Sequence, residues 1–149
     1  MINIITSRKK LELILNKFDD CFNPTVSSIV GSLEKYSEKL FINAVNIAFY
    51  INNNAIGFAS FYCNDLETKT AYLAQIAVLN DYTLKGYGGM LLKECESIAR
   101  KKGMKKMRLE VYLQNELGLY FYKKNDYRIE KKCSKDSVYM IKDIGDNNE

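Results

Sequence analysis

With 149 residues, 47% of them hydrophobic, 12% aromatic and 27% charged, the chain has the length of one domain and can bury roughly two thirds of its unfolded surface. It contains one proline, no tryptophan and no histidine, which excludes Ser-His-Asp and Cys-His nucleophile pairs, an imidazole base and any histidine-built zinc site. The net charge of +4 is uneven: the first 75 residues carry seven basic and seven acidic side chains, leaving 15 basic and 11 acidic for the rest, a pattern that fits solvated lysines or an anion-binding second half.

Ile2 to Ile5 is a short β segment. Ser7 then stands at an N-cap position ahead of Leu11, Ile14, Leu15 and Phe18, which recur at helical spacing. Asn23-Pro24 ends that helix, because a residue before proline disfavours the helical region. Ser32 caps a second helix through Leu33, Tyr36, Leu40 and Phe41. No charge falls between Lys39 and Asp65, a stretch long enough to cross a bilayer. Its six asparagines argue otherwise, and Asn52-Asn53-Asn54 divides it into strands Val45–Ile51 and Ala55–Cys63, a buried hairpin.

Thr70 to Leu79 (TAYLAQIAVL) is almost wholly apolar and reads as a central strand buried on both faces. After Lys85-Gly86-Tyr87-Gly88-Gly89 comes a helix with Leu91, Leu92, Cys95, Ile98 and Ala99 inside and Lys93, Glu94, Glu96 and Arg100 outside, closed by Gly103. Lys106–Leu113 is a strand with Met107, Leu109, Val111 and Leu113 on one face, Asn115–Lys124 a short helix, and Tyr127–Lys132 and Val138–Lys142 closing strands. The domain spans 1–144, with 145–149 a disordered tail. Short early turns imply antiparallel pairing and the crossover helix implies one parallel pair, so the fold is an α/β sheet of mixed direction. Early charges at Arg8, Lys9 and Lys10 do not fit a secretory leader, and Cys21, Cys63, Cys95 and Cys133 form no C-x-x-C pair. A cytoplasmic protein with reduced thiols and no metal site is expected.

Glycines between a strand and a helix start either supply a turn with positive φ or let several backbone N–H groups converge on an anion, with the helix dipole adding attraction. A Walker A loop has no match here. A dinucleotide fingerprint is met by Gly86 and Gly88, with Glu110 late in the next strand. Its third glycine position is Leu91, however, and Asn80 to Lys85 separates strand from loop.

Gln75-Ile76-Ala77-Val78 followed by Thr83-x-x-Gly86-x-Gly88 resembles motif A of the GNAT superfamily of acyl-CoA-dependent N-acyltransferases, with Thr83 in place of the usual Gln or Arg. Leu109-Glu110-Val111, Asn115 and Tyr120-Phe121-Tyr122 through Tyr127 resemble its motif B, with Gly118 for the usual Ala and Asn125-Asp126 at the closing turn. The resemblance covers about Ala71 to Arg128. It implies a mixed, mostly antiparallel central sheet flanked by helices, with one parallel strand pair splayed around acetyl-CoA as cosubstrate.

By resemblance, Ile76, Ala77 and Val78 pair with the pantetheine arm as an added strand would. The amides of Lys85, Gly86, Tyr87, Gly88, Gly89 and Met90 hold the pyrophosphate, Asn115 faces the pantetheine, and Tyr122 lies near the thioester sulfur. A phenol, with a pKa near 10, can protonate a departing thiolate. For the base, the family's glutamate position is Tyr72 here; Glu110 is a second candidate, a salt-bridged Glu110 the bland alternative, and a water chain the third. Phe22, Tyr36, Tyr72 and Gln75 are expected to line the acceptor pocket, by fold analogy. The acceptor is a small-molecule amine or a protein amine, and the protein a monomer or homodimer. A non-catalytic acyl-CoA sensor and a Rossmann-type NAD(P) oxidoreductase are the alternatives. The charge excess lies in the half of the chain that carries the glycine loop, which favours CoA over nucleic acid; neither a nucleic-acid nor a membrane partner is expected.

Overall fold

The computed structural model describes residues 1–145. Strand β1 (Ile2–Ile4) leads into helix α1 (Arg8–Phe18), whose start is fixed by the Ser7 hydroxyl accepting from the Lys10 amide at 3.3 Å. Leu11, Ile14, Leu15 and Phe18 are all buried, as their spacing requires. A 3-10 turn (Asp19–Cys21) and helix α2 (Val26–Val30) follow. Five residues cannot sustain a helix by propensity, and α2 is held from outside: the Ser27 amide and hydroxyl both donate to the Asp19 carboxylate. Ser32 caps α3 (Leu33–Asn43), in which Leu40 is buried and Phe41 exposed.

The uncharged stretch forms the hairpin of β2 (Val45–Ile51) and β3 (Asn54–Asp65), turning through Asn52 and Asn53 at φ +51° and +64°. Among the described residues no helix is long and apolar enough to cross a membrane. Next come β4 (Thr70–Val78), α4 (Tyr87–Lys101), β5 (Lys106–Tyr112), α5 (Glu116–Lys124), β6 (Arg128–Ser134) and β7 (Ser137–Asp143). They form a seven-stranded sheet of order β1-β2-β3-β4-β5-β7-β6, antiparallel except for the β4–β5 pair. On one face α4 packs Leu91, Leu92, Cys95 and Ala99 against Ile56, Phe61, Leu73 and Leu109. On the other, α1 and α3 cover Ala48 and Phe58 with Leu11, Leu15, Phe18 and Leu40. The α/β architecture expected from the element order is the one observed.

Three local expectations need correction. Glu96 does not lie outside α4; it is 4% exposed, facing Tyr127 and Lys142. Leu113 lies beyond the end of β5 and is 40% exposed. Of the expected tail, the Gly145 amide donates to the Lys105 carbonyl, and 146–149 lie outside the described residues. Finally, β4 is not buried on both faces along its length. Ala71 and Leu73 are buried, but every residue from Ala74 to Val78 is half-exposed.

The cause is a splay. Thr70 to Leu73 pair in parallel with Lys106 to Leu109, and the pairing then stops. On the β3 side the register shifts at the same level, where Phe61 faces Leu73 and Ser60 faces Gln75, so Ala74 is the extra residue of a bulge. Past that point β5 diverges from β4 and a cleft opens between them.

Candidate active site

The splay leaves the β5-facing backbone groups of Ala74–Val78 without a strand partner. Such an edge can receive an extended ligand carrying amide groups. Above it the chain passes through a 3-10 turn (Asn80–Tyr82) to the glycine loop. Leu84 and Gly86 adopt φ of +64° and +87°, and Gly86 is the N-cap of α4. No side chain caps this helix. Among the described residues, the five successive amides of Lys85, Gly86, Tyr87, Gly88 and Gly89 donate to no backbone acceptor. A left-handed residue ahead of a helical first turn makes such amides a concave anion-binding nest, reinforced by the dipole of a 15-residue helix. The Met90 amide does not join them, because it donates to the Gly86 carbonyl at 3.1 Å as the first bond of the helix. Tyr87 contributes only its backbone, since its ring packs on Phe49 at 4.9 Å. Gly88 faces the Phe121 ring of α5, from which a Cβ would lie 3.4 Å, an ordinary packing distance.

At the lower end of the cleft lies a cavity of about 500 Å³. It brings together Phe22, Tyr36, Tyr72, Gln75, Ile76, Glu110, Asn115 and Tyr122, which the chain separates by up to a hundred positions. Ala77, Val78 and the glycine loop lie outside it, farther along the cleft. Tyr36 and Gln75 are coupled, the Gln75 amide donating to the Tyr36 hydroxyl at 3.1 Å. Asn115 is the N-cap of α5: its Oδ1 accepts from the Gly118 amide at 2.9 Å, so the side chain is fixed at the cavity edge. A Cβ on Gly118 would lie 2.4 Å from the Asn115 Nδ2, which gives a local reason for glycine where Ala is usual.

Tyr122 is half-buried, its ring flanked by Phe121 at 5.2 Å and Tyr127 at 5.8 Å. Burial pushes its hydroxyl pKa well above the ordinary phenol value, and the nearby Cys95 and Tyr72 push the same way. Tyr72 is raised too, first by burial and then by the neighbouring Glu110 carboxylate. Glu110 is exposed to the cavity and meets no cation among the described residues; the Ser137 hydroxyl donates to its Oε2 at 2.6 Å. That replaces the salt bridge considered for it. Glu110 lies opposite Tyr139 in the β5–β7 register, so Ser137 is its diagonal neighbour on the same face.

Sequence reasoning did not single out Ser137, nor Lys39, Tyr62, Ile29 and Val30 on the cavity wall. Alternation along β7 would have aligned Ser137 with Glu110 only once the register was known. A larger open groove of about 760 Å³ runs between α1 and the Asn52–Asn54 turn, but none of the motif residues reaches it. Its Lys17 ammonium is already bonded to the Asn54 side chain and the Ala55 carbonyl.

Comparisons with known proteins bear on the family and the fold. The family model of the GNAT acetyltransferases matches residues 12–127. A spermidine N(1)-acetyltransferase of Thermoplasma acidophilum is 31% identical over 115 residues, covering 70% of each chain. Among solved structures, the PaiA N-acetyltransferase of Thermoplasma acidophilum in complex with coenzyme A superposes with a TM-score of 0.74 at 25% identity, over 96% of this chain and 99% of that one. A ribosomal-protein-alanine N-acetyltransferase of Escherichia coli gives 0.77 at 19% identity, over 100% and 97%, a likeness of fold alone. A sheet with a single parallel pair also removes the Rossmann-type oxidoreductase, whose sheet is mostly parallel. Fold, both motifs and the family match lead to one conclusion: the chain belongs to the GNAT acetyltransferase family.

Proposed function

We propose that this protein, through a domain spanning 1–144, transfers the acetyl group of acetyl-CoA to a primary amine by direct attack, with Tyr122 as the general acid. The observation that carries the reading is the arrangement around one splay: five free amides above it, an unpaired strand edge along it, and Tyr122 and Glu110 both lining the cavity at its base. The residues fit the cosubstrate's chemistry. Amides of Lys85–Gly89 suit a pyrophosphate, the edge of Ile76–Val78 and the Asn115 side chain suit the amides of a pantetheine arm, and the free CoA complex of the Thermoplasma acidophilum neighbour supports the assignment. Acetyl-CoA supplies an activated acetyl thioester; the protein supplies position and proton transfer.

Glu110 takes a proton from the incoming ammonium, directly or through water, because only the neutral amine can attack. As the C–N bond forms and the C–S bond breaks, Tyr122 gives its hydroxyl proton to the sulfur. The second proton, lost as the amine becomes an amide, returns through water to the Tyr122 oxygen, and Glu110 releases the first to solvent, so both groups are restored. A phenol keeps its proton throughout the neutral range, and burial, by raising its pKa, makes it a weaker acid, so the role of Tyr122 rests on its place in the cavity. The spermidine acetyltransferase relative supports an amine acceptor. The free thiols of Cys21, Cys63, Cys95 and Cys133 accord with a cytoplasmic setting.

Tyr122→Phe is expected to lower kcat about tenfold or more while the Kd for acetyl-CoA stays nearly constant. Steady-state CoA release and calorimetry measure the two quantities, and an unchanged kcat removes the acid role. If acetyl-CoA stabilises the protein yet no amine in a broad panel releases CoA, the chain is a binding module instead.

A further inference from the structure

We infer that the acceptor is a molecule with one amine on an aromatic or branched apolar body, and that polyamines are poor acceptors; the inference rests on the acetyl-transfer reading above. Among the residues lining the cavity, the charged side chains are Glu110 and Lys39, one of each sign. A polyamine carries several ammonium groups, of which Glu110 can neutralise one. The next would lie in a cavity whose other fixed charge is the Lys39 ammonium. Lys39 stands three residues after Tyr36 on α3, so the two share one helix face and the cation sits at the cavity rim.

The rest of the wall favours an apolar body. Tyr36, Tyr62, Tyr72 and Phe22 surround the space, and aromatic faces accept one ammonium or a flat apolar group. Ile29 and Val30 of α2 line the same cavity while 60% and 37% exposed. A branched or aromatic body lying against them removes that apolar surface from water, whereas a chain of methylene and ammonium groups places charge there. The amine of such an acceptor meets Glu110 and is deprotonated for attack; its body occupies the side of α2.

The test compares phenethylamine with spermidine as acceptors for the wild-type protein and for Lys39→Glu, reading kcat/KM from CoA release. In the wild type, phenethylamine is expected to exceed spermidine by about tenfold or more. In Lys39→Glu the ratio should move about fivefold or more toward spermidine, the size expected from reversing one charge at a partly solvated rim. Spermidine equal to or better than phenethylamine in the wild type overturns the inference, as does a ratio indifferent to Lys39→Glu. Failure of the transfer reading itself has another signature, in which neither amine releases CoA. Calorimetric titration of each amine into the protein saturated with CoA then decides acceptor choice alone. Tighter phenethylamine upholds it; tighter or equal spermidine, or binding of neither, overturns it.

Discussion

Both carboxylate oxygens of Glu96 are taken: the Tyr127 hydroxyl donates to Oε2 at 2.8 Å and the Lys142 ammonium to Oε1 at 2.9 Å. With Glu96 only 4% exposed, removal of the cation leaves a buried charge with a single neutral donor. Lys142→Met is therefore expected to cost about 3 kcal/mol, read as a lower urea midpoint, and Glu96→Gln added to it should restore part of the loss. A single-variant cost below about 1 kcal/mol would show that the pair is solvated in solution. Tyr127 also packs its ring on Tyr122, so this network supports the floor of the proposed catalytic site. None of it was legible in the sequence. A helical repeat places Glu96 beside Cys95 and at the flank of the apolar stripe, and its partners are 31 and 46 positions away. By contrast Tyr122 and Asn115, which do line the cavity, were singled out in advance because the motif B resemblance rests on a local spacing.

At the scale of elements, α4 can approach the sheet because β3 has a glycine beneath it. A Cβ on Gly57 would lie 2.8 Å from the Leu91 Cδ1 and 3.2 Å from the Ala77 carbonyl oxygen. Leu91 is fully buried and the carbonyl belongs to β4, so neither yields readily. Gly57→Ala should cost about 1–3 kcal/mol, lowering Tm by about 2–4 °C for each kcal/mol. It should also raise the KM for acetyl-CoA by shifting the start of α4; a Tm at or above wild type would show that the helix already has room. The elements legible in the sequence are those whose signals are local. Ser7 and Ser32 cap their helices, Asn52 and Asn53 turn the hairpin, and Gly103, at φ +91°, follows the last turn of α4. The unread elements depend on distant partners: α2 on Asp19, and the half-exposure of Ala74–Val78 on the divergence of β5.

For the molecule as a whole, several buried acids share one direction of shift. Burial raises the hydroxyl pKa of Tyr72, Tyr122 and Tyr127 and the thiol pKa of Cys95; for Tyr127 the bonded Glu96 adds to the effect. Above the unfolded tyrosine pKa of about 10, the unfolded chain releases protons that the folded chain retains. Stability is thus complete only below the unfolded thiol pKa of about 8.5, above which Cys95 begins to lower it, and it declines more steeply through the tyrosine range, by up to about 1.4 kcal/mol per pH unit for each such group. Urea midpoints at pH 7, 10 and 11 should be highest at pH 7, lower at pH 10 and lowest at pH 11, and a level value across the three would contradict the burial of these groups. The site as a whole was half legible. The glycine loop and the α5 motif are contiguous patterns, while the acceptor wall is assembled by tertiary folding from α2, α3 and the strands. The same divergence of β4 and β5 has a kinetic consequence. Amides of Ala74–Val78 that point toward β5 lack a carbonyl partner there, so their hydrogens should exchange with solvent deuterium far faster than those of Thr70–Leu73. Bound acetyl-CoA, lying along that edge, would slow them selectively, so that the sheet's missing rung becomes a clock for occupancy.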